Sequence, residues 1–195
     1  MQLPKRGFFH KETGAIINAE LRNRLFQPDC FKKANPINHG EVFKMNILFI
    51  NGSPNKHGNT AKLAELLLDG NNYETLNLTE YKLYSYGQNF ADDQFEEILA
   101  KMKAADILVI GSPVYWHNMC GAVRNLLDRF YGPVSSGSLA GKKLAFVFQG
   151  AAPEAWMLEK GEYTMNRFAR LYGMEYAGMV TRGSEAKAVA GKLGL

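Results

Sequence analysis

The sequence contains only two cysteines, Cys30 and Cys120, and they form no C-x-x-C pair. Disulfide frameworks and zinc or iron–sulfur sites need clustered cysteines, so none of these, and no metal site, is predicted. No apolar run reaches the ~18 residues that a membrane-spanning helix requires. The first residues also lack the sustained apolar core of a signal peptide. We therefore expect a cytoplasmic protein that does not associate with membranes.

A charge bias is missing from most of the chain. Residues 1–44 contain eight Lys or Arg and four Asp or Glu, which accounts for the whole net charge of +4. Residues 45–195 contain fifteen basic and fifteen acidic residues and are therefore neutral. A protein that binds nucleic acid usually presents a basic surface, so no nucleic-acid partner is expected for this part of the chain.

The first 44 residues differ from the rest in composition, with Pro and Gly scattered among polar residues. Ile17, Leu21 and Leu25 recur every four positions, which predicts a short amphipathic helix over residues 14–26. We interpret residues 1–44 as an N-terminal extension and residues 45–195 as the folded domain. The helix can pack on the domain, pack on a second subunit or remain loose. Met45 is also an alternative natural start.

Strand-like and helix-like segments alternate through the domain. Apolar runs predict five strands, at residues 47–50, 73–78, 106–114, 143–148 and 174–181. Helical periodicity predicts helices that begin near residues 61 and 95, helices over residues 118–131 and 163–171, and a short C-terminal helix. This alternation predicts an α/β fold with a doubly wound, five-stranded parallel sheet in the order 2-1-3-4-5 and helices on both faces.

The first strand ends at a short loop that leads into a helix. Gly52, Pro54 and Gly58 interrupt regular structure, and Asn59 or Thr60 can cap the helix. Several backbone N–H groups then converge, which favours binding of an anion such as phosphate. A Walker A loop would need lysine after the second glycine, and the dinucleotide fingerprint G-x-G-x-x-G is also absent. An ordinary strand-to-helix turn remains the alternative.

The third predicted strand ends in a second Gly-Ser-Pro, at residues 111–113, and a second loop is predicted over residues 112–120. In the order 2-1-3-4-5, strands one and three flank the point where the sheet reverses direction, and ligands bind there. The loop at Gly150 would close the same crevice. Tyr115 and Trp116 follow the second Gly-Ser-Pro, and an exposed aromatic pair at this position suits a flat ligand.

Taken together, these motifs resemble the flavodoxin-like, NAD(P)H-dependent FMN reductases and quinone reductases. The resemblance rests on GSPNKHGNT at residues 52–60, on the block from SPVYW to LLDR at residues 112–129, and on GKKLAFVFQG at residues 141–150. It covers residues 45–181. Lys56 and His57 vary the first loop, the clustered cysteines of the iron–sulfur branch are absent, and the N-terminal extension has no counterpart.

The resemblance implies a cofactor, a reaction and a set of site residues. FMN would be bound through its phosphate by Ser53, Asn59 and Thr60, with Lys56 in the same loop. The ring would be lined by Pro113, Val114, Tyr115 and Trp116, with Asn118 near its edge and Gly150 approaching from the third loop. Flavin N5 would take hydride from NAD(P)H and return it to a small-molecule acceptor, such as a quinone, a nitro or azo compound, or free flavin. No side chain is assigned as a general acid or base, and a homodimer is expected.

Two other classes of function remain open. A flavodoxin-type electron carrier would bind FMN without oxidising NAD(P)H, but such carriers usually have strongly acidic surfaces. A flavin-free binding module with the same fold is disfavoured by Tyr115 and Trp116. His117 is interpreted as a solvent-facing loop residue, although it could touch substrate. Trp156 and Met157 follow the third loop and can either line the substrate side or pack beneath the loop.

Overall fold

Strands and helices alternate from Ile47 to Leu193 in a computed structural model that describes residues 45–195. The predicted extension, residues 1–44, and its helix over residues 14–26 lie outside the described residues. The elements are β1 (Ile47–Asn51), α1 (Asn59–Leu67), β2 (Glu74–Asn77), α2 (Phe95–Ala104), β3 (Ile107–Tyr115), β4 (Asn118–Met119), α3 (Gly121–Phe130), β5 (Lys143–Gln149), α4 (Ala155–Leu171), β6 (Glu175–Val180) and α5 (Gly183–Leu193).

Five strands form a parallel sheet in the order β2-β1-β3-β5-β6, and the short β4 pairs antiparallel with the end of β3. Counting only the parallel strands, this is the predicted order 2-1-3-4-5, so the predicted fold is confirmed. Phe49 of β1 pairs with Val109 of β3, and Gly111 of β3 pairs with Val147 of β5. The carboxyl ends of β1, β3 and β5 therefore lie side by side.

The central strands are buried on both faces, as their unbroken apolar runs predict. Leu48 and Ile50 face a cluster that includes residues of α2, α3 and α4. Ile47 and Phe49 face the opposite side, where they join residues of α1 and α5. Across residues 45–195, none of the helices combines the length and the apolar composition required to cross a bilayer.

The second Gly-Ser-Pro lies inside a strand, which corrects the prediction of a loop there. β3 continues through Pro113 and Val114 to Tyr115, alongside β5 as far as the Pro113–Gln149 pair. The carbonyl of Gly111 accepts from Gly52 and therefore faces β1, so the nitrogen of Pro113 faces the same side. Because β1 ends at Asn51, no ladder hydrogen bond is lost at the proline.

Two helices begin elsewhere than predicted. The helix expected over residues 118–131 starts at Gly121, because Asn118 and Met119 pair back onto β3 as β4. The helix expected over residues 163–171 starts at Ala155. Its buried face includes Gly161, where an added Cβ would lie 2.4 Å from Cε1 of Phe148. Glycine at a buried position interrupts the apolar pattern that predicts a helix, so the first part of α4 is missed. Glycine is required at position 161 because α4 packs closely against the sheet there.

We expect Tyr176→Phe to stabilise the domain, because the Tyr176 hydroxyl is buried without a hydrogen-bond partner among residues 45–195. Removing an unsatisfied buried hydroxyl should raise the free energy of unfolding by about 1 kcal/mol. Tyr172→Phe is the matched control, because the Tyr172 hydroxyl donates to the carbonyl of Phe130 at 3.0 Å. Tyr172→Phe should lower the free energy of unfolding by about 1 kcal/mol. Urea denaturation measures both, and two changes of the same sign would contradict the prediction.

The same substitution should alter the alkaline limit of stability. Burial, with a smaller contribution from Glu162, raises the pKa of Tyr176 above its ordinary value. In the unfolded chain the phenol ionises near pH 10, whereas in the folded domain it stays protonated, so stability falls as pH rises above about 10. Tyr176→Phe should show a smaller decline over that range.

Candidate functional site

Three segments meet at the carboxyl edge of the sheet: the loop that the sequence predicts to bind phosphate, named the phosphate loop (residues 52–58), the hairpin (residues 115–118) and the third loop (residues 150–154). The N–H of Gly52 donates to the carbonyl of Gly111 at 2.8 Å, which ties the phosphate loop to β3. Nε2 of Gln149 donates to Oγ1 of Thr60 at 3.1 Å, which ties the start of α1 to the end of β5. The structure therefore brings together the three segments that the sequence singled out.

The phosphate loop is folded by hydrogen bonds to its own side chains. The N–H of Ser53 donates to Oδ1 of Asn51 at 3.0 Å, and the Ser53 hydroxyl accepts from the N–H of Asn55 at 3.2 Å. Oδ1 of Asn55 in turn accepts from the N–H of His57 at 3.1 Å. These bonds make the loop a preformed turn and leave Ser53 buried at its base.

The start of α1 has no side-chain cap. The helix begins at Asn59, and Gly58 occupies the cap position, so neither Asn59 nor Thr60 acts as the predicted cap. The first intrahelical bond within this turn runs from the N–H of Lys62 to the carbonyl of Gly58. The N–H groups of Asn59, Thr60 and Ala61 precede it and have no helical acceptor. Unpaired N–H groups at the positive end of a helix form a binding site for an anion.

Asn59 and Thr60 differ in accessibility. Asn59 is exposed at the first position of α1, so its amide can reach a ligand directly. Thr60 is only 1% exposed, and its hydroxyl oxygen accepts from Gln149. A hydroxyl that accepts one bond still has a proton to donate. Gln149 therefore orients Thr60 without using up its donor.

Lys56 forms an ion pair with Glu80, and both side chains are about half exposed. Glu80 also accepts from Nδ2 of Asn77 at 2.9 Å, and Oδ1 of Asn77 accepts from Asn51 at 3.1 Å. Hydrogen bonds from Lys56 and Asn77 hold the pKa of Glu80 below its ordinary value. No local pattern points to Glu80, because the contact joins residues that are 24 positions apart.

Cys120 links the phosphate loop to β3 from below. It is buried, its thiol donates to the carbonyl of Gly52 at 3.2 Å, and its N–H donates to the hydroxyl of Ser112 at 2.9 Å. A Cβ added to Gly52 would lie 2.3 Å from Cγ2 of Val123 and 3.0 Å from the Cys120 sulfur. The site therefore needs a small buried residue at position 120 and glycine at position 52.

The hairpin places two large side chains in an unfavourable turn. Tyr115 of β3 pairs with Asn118 of β4, so Trp116 and His117 form a two-residue connection. Both have positive φ, 47° and 64°, which is the combination of a type I′ turn. Residues other than glycine adopt it at a cost of about 1–2 kcal/mol each. Trp116 is 95% exposed at the tip, Tyr115 and Asn118 are exposed, and Oδ1 of Asn118 accepts from the N–H of Met119.

A cavity of about 350 Å³ separates the hairpin from the third loop. Its lining residues come from β3, the turn, the third loop and α4, and are Val114, Trp116, His117, Gly150, Ala151, Ala152, Pro153, Glu154 and Met157. The third loop approaches β3 closely, because a Cβ on Gly150 would lie 3.0 Å from Cβ of Val114. Pro113, which pairs with Gln149, is buried. The cavity is near the lower end of the volumes of small-molecule sites and suits a single flat ring system.

A larger cavity, of about 500 Å³, lies at the opposite edge of the sheet, next to residues that include Asn46, Tyr73, Glu74 and Lys101. It borders the amino ends of β1 and β2. In doubly wound sheets ligands bind beyond the carboxyl ends of the strands, so position favours the smaller cavity. Within the described residues, no cluster of three or more His, Cys, Asp or Glu side chains is arranged to bind a metal ion.

FMN fits the residues present at this edge. Its phosphate is dianionic or nearly so, and the start of α1 offers N–H groups without helical partners together with hydroxyl and amide side chains. Its ring system is flat, and the cavity between hairpin and third loop is flanked by aromatic side chains. Both halves of the molecule therefore have complementary surfaces.

Comparisons with known proteins show which family the chain belongs to. The model of the family described as NADPH-dependent FMN reductase matches residues 45–171. An iron–sulfur flavoprotein of Archaeoglobus fulgidus is 37% identical in a 98-residue alignment that covers 44% of this chain and 48% of the relative. An NADPH azoreductase of a Bacillus species is 34% identical in an 88-residue alignment that covers 43% of this chain and 49% of that protein.

The solved structure of the Trp repressor binding protein from Bacillus subtilis superimposes with a TM-score of 0.57 and 20% identity, over 76% of this chain and 97% of that one. At this identity the likeness establishes the fold alone. The chain spans about half the length of the curated relatives it matches. Because the family model covers well over half of the chain, including all three segments of the site, the chain belongs to the NADPH-dependent FMN reductase family.

Proposed function

We propose that this chain binds one FMN non-covalently and catalyses the NAD(P)H-dependent reduction of a small-molecule acceptor. Quinones, nitro or azo compounds and free flavin are the acceptor classes that the sequence suggests, and one relative is an azoreductase. The proposal rests on one observation above all. The uncapped start of α1 and the ring-sized cavity lie at the same edge of the sheet.

Each part of the site has an assigned role. The first N–H groups of α1, with Ser53, Asn59 and Thr60, would hold the phosphate, and Lys56 would add positive charge that it shares with Glu80. The proposed ring-lining residues are those that the resemblance implies, namely Pro113, Val114, Tyr115, Trp116, Asn118 and Gly150. Val114, Trp116 and Gly150 line the cavity, and Tyr115 and Asn118 pair at the base of the hairpin turn. Bound FMN supplies hydride transfer between NAD(P)H and the acceptor. The protein contributes binding and orientation, because no acid–base side chain is needed for this chemistry.

An electron carrier with the same fold is the second candidate. Its docking surface is usually strongly acidic, whereas residues 45–195 have equal numbers of basic and acidic residues. Charge balance therefore favours the enzyme.

The absorbance spectrum of the purified chain with added FMN, followed by NADPH or NADH without oxygen, tests the proposal. The enzyme should bind FMN, and the flavin absorbance should bleach rapidly when nucleotide is added. Bound flavin that stays oxidised would point to the electron carrier. Failure to bind FMN would contradict both functions.

Trp116→Ala should weaken FMN binding about fivefold, because an aromatic stack contributes on the order of 1 kcal/mol. Trp116 is almost fully exposed without ligand, so its removal should leave the stability of the domain unchanged. Trp116→Phe keeps an aromatic face and serves as the matched control. Quenching of FMN fluorescence gives the affinities. Equal affinities for wild type and Trp116→Ala would show that the ring does not stack on this side chain.

We also propose that the active form is a homodimer, formed through the groove between α3 and α4. The groove has a volume of about 290 Å³ and is bordered by Tyr86, Tyr131 and Leu171, all of which are exposed. Arg124 and Asp128, which pair at 3.1 Å, also border it. A basic and an acidic residue side by side are self-complementary across a two-fold axis, so a second copy of the chain suits this surface.

Tyr131→Lys should weaken the dimer at least tenfold, because it places a charge in the apolar groove where the second copy would bury it. Leu66→Lys is the control, since Leu66 is similarly exposed on α1, away from the groove. Light scattering over a dilution series measures the association. A wild-type chain that remains monomeric, or a dimer that tolerates Tyr131→Lys, would contradict the groove as the interface.

A further inference from the structure

His117 contacts a tryptophan from a different element of the site. The rings of His117 and Trp156 have centroids 5.5 Å apart and are tilted by 58°. His117 belongs to the turn of the hairpin, and Trp156 lies in the first turn of α4, directly after the third loop. This contact therefore joins the hairpin to the start of α4, beside the cavity that His117 lines.

Trp156 is itself held in place by two neighbours. Its indole N–H donates to Oε2 of Glu154 at 3.0 Å, and Nζ of Lys160 lies 4.7 Å from the centre of its ring. Glu154 and Lys160 are one turn of α4 or less from Trp156. An exposed tryptophan with a hydrogen bond at its edge and a cation over its ring has a defined orientation. Trp156 is therefore a fixed surface against which His117 packs.

The hairpin turn needs such support, because both of its residues adopt left-handed conformations that favour glycine or asparagine. Strained turns persist where surrounding contacts hold them. For His117, the Trp156 ring is that contact. The neighbouring Trp116 has almost no contact of its own, since it is 95% exposed. The position of Trp116 is therefore set through His117.

We infer that Trp156 is a positioning residue for the flavin ring: it anchors His117 and thereby fixes the hairpin turn and the width of the ring cavity. This inference rests on the proposed function, because it assigns the ring of a flavin to the cavity. Its neighbour Met157 is buried and lines the cavity itself, whereas Trp156 lies outside the lining and acts through His117.

The test is a double-mutant cycle with His117→Asn and Trp156→Ala, read out by flavin binding. Asparagine tolerates the left-handed conformation, so His117→Asn removes the contact while the turn stays accessible. Each single variant should weaken binding about fivefold. The double variant should bind flavin about five- to tenfold more weakly than the wild type, because both substitutions remove the same contact. Independent effects would multiply to a loss of about 25-fold.

A comparison of ligands separates positioning from general damage. Because Trp156 acts on the ring, Trp156→Ala should weaken binding of FMN and of riboflavin, which lacks the phosphate, by the same factor. Trp156→Phe should restore most of the affinity. Tyr163→Ala is the control on the same helix, since Tyr163 is exposed and lies outside the cavity lining. Denaturation curves of the Trp156 and Tyr163 variants should superimpose on that of the wild type.

Several outcomes would overturn the inference. Multiplicative effects in the cycle, wild-type affinity in Trp156→Ala, or loss of FMN binding without loss of riboflavin binding would each exclude a positioning role for Trp156. A wild-type chain that binds no flavin would instead refute the proposed function. The two failures are therefore distinguishable.

Discussion

Gly52→Ala should lower the free energy of unfolding by about 2–3 kcal/mol, the cost of inserting a methyl group into a tightly packed site. The added Cβ would lie 2.3 Å from Cγ2 of Val123 and 3.0 Å from the carbonyl oxygen of Gly111. Neither neighbour can move aside easily, because Val123 is a stiff β-branched residue in α3 and Gly111 is backbone inside β3. Chemical denaturation measures the loss.

The same substitution should weaken FMN binding at least tenfold. Gly52 donates to Gly111 and accepts from the Cys120 thiol, so a displaced Gly52 moves the phosphate loop away from the start of α1. Gly191→Ala is the control, because an added Cβ there meets nothing within 4 Å and alanine favours the helix. In a Gly52→Ala, Val123→Ala double variant, part of the FMN affinity should return. Unaltered stability in Gly52→Ala would contradict the close packing at the base of the site.

The second large effect is expected at the phosphate. Combining Asn59→Ala with Thr60→Val should weaken FMN binding by at least about 100-fold, because each lost hydrogen bond to a charged group contributes about 1.5–3 kcal/mol. Valine keeps the shape of the buried Thr60 side chain, so the packing at position 60 is retained. Isothermal titration with FMN provides the affinities.

Riboflavin is the internal control for this variant. It lacks the phosphate, so its affinity should be the same for the wild type and the double variant. A similar loss for both ligands would indicate damage to the ring cavity, and unchanged FMN affinity would remove Asn59 and Thr60 from the phosphate site. With the Trp156 variants, which act on the ring, the experiment divides the site into two independently testable halves.

Much of the fold follows from local features of the sequence. The unbroken run from Ile47 to Ile50 predicts a strand buried on both faces, and alternate residues of β1 do enter the two separate cores. The repeated Gly-Ser-Pro located the two strands that flank the crevice. These signals are local, because apolar periodicity and chain-breaking residues act within a few positions.

The predictions were weaker where two interpretations compete within one short segment. Residues 111–119 contain Gly, Ser and Pro, which indicate a loop, yet β3 continues to Tyr115 and β4 follows. The reason lies in the tertiary structure. On one side, β5 pairs with β3 as far as Gln149, and on the other side, β1 ends before Pro113 could interrupt its pairing with β3. Helix α4 was shortened in the prediction for a similar reason, since Gly161 is required by Phe148 of the sheet.

The sequence by itself determined the order of strands and helices, the edge of the sheet at which the three loops lie, and the family to which the chain belongs. Tertiary structure decided which polar groups pair within the site. Lys56 meets Glu80, Thr60 meets Gln149, and His117 meets Trp156, over separations of 24, 89 and 39 residues. No local pattern specifies such contacts, because they depend on how the sheet brings distant segments to one edge. The turn at Trp116 and His117 likewise contradicts local preference and is held by a residue that only the fold places beside it.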